Sequence, residues 1–178
     1  MKRTMLSFAV LATAAMLTAA AARVSRTALT AMEKSLDQKI SSLWPDNQYL
    51  LIGNTRGVYL DGYGAVFTAE VNLVANPLSL MSTHLSPAEV ARYRQTKIER
   101  AVALKKALRE ALASTAASLD TVPPEEKVVM VAFLDHFPFE DMNGVPTQIT
   151  VEGQKKALLE AQRSGGKSLE TAVKVTEN

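Results

Sequence analysis

The stretch Gly57-Val58-Tyr59-Leu60-Asp61-Gly62-Tyr63-Gly64-Ala65-Val66-Phe67 carries the strongest local structural signal in the chain. Two apolar and aromatic arms flank Asp61-Gly62, a pair able to take the positive φ angles that a two-residue hairpin turn requires, so an antiparallel hairpin is expected here. The second arm runs on through Thr68, Ala69, Glu70, Val71, Asn72 and Leu73. Side chains of a strand alternate between its faces, which places Ala65, Phe67, Ala69, Val71 and Leu73 on a core face. Val66, Thr68, Glu70 and Asn72 then fall on a wetter one.

Working outward, Leu29, Met32, Leu36, Ile40 and Leu43 recur at three- and four-residue steps and predict a helix over 25–43, ended by Trp44-Pro45-Asp46. Tyr49-Leu50-Leu51-Ile52, closed by Gly53-Asn54, reads as a short strand. After an irregular connection, Ser86-Pro87-Ala88-Glu89 spells a helix start: Ser86 caps free amides, Pro87 suits the first helical position and Glu89 closes the capping box. The helix should run to about Leu119, with Val90, Ile98, Ala101, Leu104, Leu108, Leu112 and Leu119 as its buried stripe, and Pro123-Pro124 ends it. Val128 to Leu134 is apolar without alternation, as expected of an interior strand covered on both faces. A loop over 135–146 leads to an edge strand over 147–151 and a last helix over 152–163. Gly165-Gly166 then opens a polar tail.

The order of elements contains one long strand-helix-strand crossover, which favours parallel pairing of the strands around Val71 and Val131. The expected architecture is a single α+β domain: a mixed β-sheet of about four to five strands with helices mainly on one face. Its expected divisions are a signal peptide at 1–22, the domain at 23–164 and a flexible C-terminal tail at 165–178.

The N-terminus opens with Lys2 and Arg3, continues apolar from Met5 to about Leu17 and ends in Ala19-Ala20-Ala21-Ala22 before Arg23. That order suits a cleavable secretory signal, with Ala20-x-Ala22 as the cleavage site. The apolar run is short for a bilayer span of ~20 residues, so retention as an anchor is the lesser reading. Cleavage removes Lys2 and Arg3, taking 20 basic residues to 18 against 18 acidic ones. A neutral chain lacks the cationic surplus that neutralises phosphates, so nucleic acid is not expected as a partner. The absence of cysteine excludes disulfides, thiolate chemistry and lipid attachment at a cysteine; stability must come from a core.

Few motifs point to chemistry. Gly53, Gly57, Gly62 and Gly64 fit neither a phosphate loop nor a dinucleotide fingerprint, and there is no Gly-x-Ser-x-Gly elbow. Asp135-His136-Phe137-Pro138-Phe139-Glu140-Asp141 is the densest segment: His136 beside Asp135, Glu140 and Asp141 can serve a general base or a metal. Zinc needs three or four protein ligands and His84 is the only other histidine, so no metal or other cofactor is expected. Phe137, Pro138 and Phe139 read equally well as an apolar plug over the core. Tyr49, Tyr59 and Tyr63 can form an aromatic platform. Arg92, Arg94, Lys97, Arg100, Lys105, Lys106 and Arg109 give the long helix a basic surplus, read first as a solvated face, while the balance over 120–152 is acidic. Those two segments can attract each other within the fold or offer patches to partners.

These features favour an exported bacterial protein of the periplasm or cell envelope, a non-enzymatic binding or scaffolding module. Its candidate surface is Tyr59, Tyr63, Arg92, Lys97 and Arg100, and its expected partner is an envelope protein or an anionic envelope component. The alternative is a cysteine-free hydrolase or metal-dependent enzyme built on the segment from Asp135-His136 to Asp141. Homo-oligomerisation through the N-terminal helix is a third reading.

Overall fold

A computed structural model describes residues 24–46, 51–75, 85–138, 140–164 and 166–178. The signal segment 1–22, Tyr49 and His84 lie outside these residues. The hairpin forms from β1 (Arg56–Leu60) and β2 (Gly64–Val71), antiparallel with Val58 opposite Val66. Its loop has three residues rather than the expected two, because Leu60 pairs with Gly64 and the Tyr63 N–H donates to the Leu60 carbonyl at 3.0 Å. Gly62 and Gly64 hold φ of 76° and 132°, and Gly64 backs onto the Lys127 backbone so closely that a Cβ there has no room.

From β2 the chain crosses over through α2 (Pro87–Ser118) to β3 (Lys127–Leu134), which pairs parallel with β2, Val71 opposite Leu134. Both halves of the expected capping box are made: Ser86 Oγ accepts from the Glu89 N–H and the Glu89 carboxylate accepts from the Ser86 N–H. β4 (Gln148–Gln154) returns antiparallel to β3, α3 (Lys155–Ser164) and α4 (Gly166–Ala172) follow, and β5 (Lys174–Glu177) pairs antiparallel with β4. Among the described residues this is one mixed five-stranded sheet, in the order β1-β2-β3-β4-β5, with four helices: a single α+β domain, as the sequence predicts. None of the helices is long and apolar enough to cross a membrane, again among the described residues.

The helices lie on one face. α1 (Arg26–Ser41) packs on β1 and α2, and α2 packs on β3 and β4. Phe67, Val71, Met130, Ala132, Ile149 and Val151 point at them and are buried with Leu36, Ile40, Leu104, Leu108, Leu112 and Leu158. α1 is thus a packed part of the domain. It also closes the free edge of β1: Glu33 Oε1 accepts from the Gly57 N–H at 2.7 Å, Asp37 Oδ1 accepts from the Thr55 N–H at 2.9 Å, and Arg26 donates to the Gly57 carbonyl at 2.8 Å. Carboxylates one turn apart on a helix thereby take the place of a neighbouring strand at Thr55 and Gly57, where that edge begins.

Several sequence expectations are corrected. β3 is flanked on both sides by strands but covered on one face only, leaving Phe133 44% exposed. β4 is interior rather than an edge, since β5 lies beyond it. β4 continues to Gln154, so the last predicted helix starts at Lys155 rather than 152. Residues 166–177, expected within a flexible tail, carry α4 and β5. Val173 is buried there, while Leu169, Ala172 and Val175 pack against the core, enough to seat a segment whose composition is otherwise polar. Of the predicted strand over 49–52, Leu51 makes one isolated bridge to Val71.

Candidate functional site

The face of the sheet away from the helices carries most of the exposed large apolar side chains among the described residues. Strand registers set its side chains in rows: Val58, Val66, Val129 and Glu152 in one, Arg56, Thr68, Val131 and Thr150 in the next, and Glu70, Phe133 and Gln148 in a third. Val58 is 48% exposed and Leu60 46%, in addition to Phe133. Ile52 and Tyr63, also exposed, sit at its ends: Ile52 in the same cleft as Phe133, Tyr63 with its ring 5.7 Å from the Lys127 ammonium. Along the β3–β5 side, Lys127 and Lys174 flank the Glu152 carboxylate, each at 3.3 Å. Partial burial works to raise this carboxyl, but the two ammonium groups outweigh it and hold it below the ordinary glutamate range.

At the C-terminal ends of the parallel pair β2–β3 the third row runs into a cleft of about 520 Å3, lined by Ile52, Glu70, Phe133, Asp135, His136 and Gln148 among others. A smaller hollow of about 230 Å3 adjoins it, lined by Arg56, Thr68, Glu70 and Phe133 among others. Strand ends of parallel pairs are where open sheets commonly place ligands, because the chain there leaves the sheet and opens a crevice.

The residues singled out in the segment from Asp135 to Asp141 separate. His136 and Asp135 reach the cleft. Glu140 turns away and is buried against Lys97 at 2.5 Å, both side chains 2% exposed, and Asp141 pairs with Arg94 at 3.1 Å. Lys97 also donates to the Asp135 carbonyl at 2.9 Å and lies 5.5 Å from the Tyr93 ring, so its charge is compensated on every side that burial removes from water. Burial, with Glu140 beside it, holds the Tyr93 phenol well above its ordinary range. The basic helix and the acidic segment over 120–152 thus meet inside the fold through two ion pairs. No described residue makes a hydrogen bond to the His136 ring that would orient it as a base. Among those residues no group of three or more His, Asp or Glu side chains is gathered to hold a metal.

The expected partner surface does not assemble. Tyr59 points to the helix side, where its hydroxyl donates to Glu126 at 3.2 Å, while Tyr63 is exposed, so the two form no platform. Arg92 is exposed beside a hollow of about 390 Å3. Lys97 is interior, and Arg100 donates to the Leu73 carbonyl at 2.7 Å with its guanidinium 5.1 Å from the Trp44 ring. Strand alternation had already put Glu70 on the wet face. Phe133 was hidden in an all-apolar run whose open side only the layer arrangement reveals. Comparison with protein-family models, with characterised proteins and with solved structures finds no match to this chain.

Proposed function

We propose that this protein is a non-enzymatic binding or scaffolding module of the periplasm or cell envelope, and that it binds through the helix-free face of its sheet. One observation carries the reading: Val58, Leu60 and Phe133 stand about half exposed on the helix-free face of the sheet, with Ile52 and Tyr63 exposed at its ends, apolar area that folding leaves in water. Glu33 and Asp37 of α1 already occupy the Gly57 and Thr55 amides at the start of the β1 edge, which disfavours an added strand there and favours the face as the place where a partner is received. The charged, apolar and small-residue order of 1–22 supports export.

The test is paired capture from the envelope fraction by the purified protein and by Val58→Glu/Phe133→Glu. A saturable partner held by the first and lost by the second supports the reading. Equal retention by both, or no partner, overturns it. A second reading, a hydrolase or metal-dependent enzyme, rests on the cleft that brings His136, Asp135 and Glu70 to one surface. It requires a turnover that His136→Ala abolishes while the unfolding midpoint stays unchanged.

A further inference from the structure

We propose that the groove between α2 and α4 binds a fatty acid: one acyl chain along its apolar floor, one carboxylate at its cationic rim. This site is separate from the sheet face and does not depend on it.

The groove encloses about 590 Å3, within the roughly 300–1,000 Å3 of small-molecule sites. Val102 and Leu169 form its floor. Val102 is 57% exposed and is, among the described residues, the exposed large apolar side chain that lies away from the sheet face. Leu169 packs against the core from α4, so the floor is continuous with the hydrophobic interior. An acyl chain laid there covers apolar surface that the fold leaves in water.

Lys105, Lys106 and Arg109 bring three cations to the rim, against Glu110 and Glu170. Lys105 is engaged by Glu177 of β5, and Glu110 by Lys39 of α1 at 3.0 Å. That leaves Lys106 and Arg109 facing Glu170, a rim with a cationic surplus. The guanidinium fork of Arg109 matches a carboxylate in two parallel bonds. A carboxylate at this rim meets Lys106 and Arg109 as attraction, whereas a cationic head meets them as repulsion. The basic surplus of α2 therefore reaches a ligand at Lys106 and Arg109, about two turns beyond Arg100, where it borders apolar surface.

The experiment is displacement of a fluorescent long-chain fatty acid from the purified protein by palmitate, hexadecanol and hexadecylamine, with anionic phospholipid vesicles assayed by co-sedimentation. The expected result is saturable binding at one palmitate per chain, with hexadecanol and hexadecylamine at least about tenfold weaker, the loss of one charge-assisted hydrogen bond. Lys106→Gln/Arg109→Gln should weaken palmitate by a similar factor, and Val102→Glu, at a position already in water, should abolish binding with the circular dichroism spectrum unchanged. Equal binding of hexadecanol, indifference of palmitate to all three substitutions, or binding of vesicles without binding of free palmitate overturns the proposal.

Discussion

Lys155 reaches back from the start of α3 to the C-terminal end of α2, where its ammonium donates to the carbonyls of Leu119, Val122 and Asp120 at 2.6, 2.7 and 3.1 Å. The last turn of α2 has no basic residue of its own, and a side chain some 35 positions away gathers the carbonyls of the segment that leaves the helix, of which Leu119 also accepts from the Val122 N–H at 3.1 Å. Lys155→Met should cost about 2–3 kcal/mol, the desolvation penalty of buried carbonyls left unsatisfied, measured as a lower urea midpoint at unchanged slope. Tyr59 offers a pH test. Burial first, then the hydrogen bond to Glu126, push its phenol from 10.0 up to about 12. A group whose folded pKa is raised stabilises the fold below its unfolded value and loses that contribution as pH climbs through the folded one, so the Tyr59 contribution fades between pH 10.0 and about 12. The difference between the ultraviolet phenolate titrations of the wild type and Tyr59→Phe should show one tyrosine ionising near the upper value, and Glu126→Gln should shift that step downward. Neither Lys97 nor Lys155 was legible as an interior residue. A lysine is buried only when partners surround it, and these partners lie 33 to 43 residues away in the chain.

Among the elements, those written in local chemistry were legible and those created by pairing were not. Ser86 to Glu89 specifies the start of α2 because both halves of the capping box lie within one turn, and the apolar steps from Leu29 to Ile40 specify α1 for the same local reason. The C-terminal segment shows the opposite case. Four residues of β5 with little apolar content become a strand because β4 presents an open edge and because Val173 has a buried seat. A chain ending at Ser164 should lose at least about 2 kcal/mol, the burial of a valine side chain, and should leave the β4 edge bare. Thermal unfolding checks the first effect and light scattering the second, with self-association expected at concentrations where the full chain stays unchanged. At the start of the β1 edge, Glu33 and Asp37 already occupy the amides of Gly57 and Thr55.

For the whole molecule, the decisive feature is that, among the described residues, four helices gather on one side of five strands and leave Val58, Leu60 and Phe133 on the other side half in water. Val58→Glu/Phe133→Glu should shift stability by no more than about 0.5 kcal/mol in thermal unfolding, because both side chains already stand half in solvent, while partner capture is lost. A large destabilisation would mean instead that this face is part of the core. The candidate site was legible only in fragments: Asp135 and His136 stood out because they follow a strand, whereas Glu140 and Asp141 looked equivalent to them and proved to be anchors for Lys97 and Arg94. The sequence by itself determined the fold class, the hairpin, the long capped helix and the parallel crossover, since each follows from periodicity, turn chemistry or chain connectivity within a short window. Only the tertiary structure decided which sheet face stays bare, which charges turn inward, and that Val102, Leu169 and Arg109 border one groove. Those outcomes depend on burial, and burial is a property of what the rest of the chain places on top.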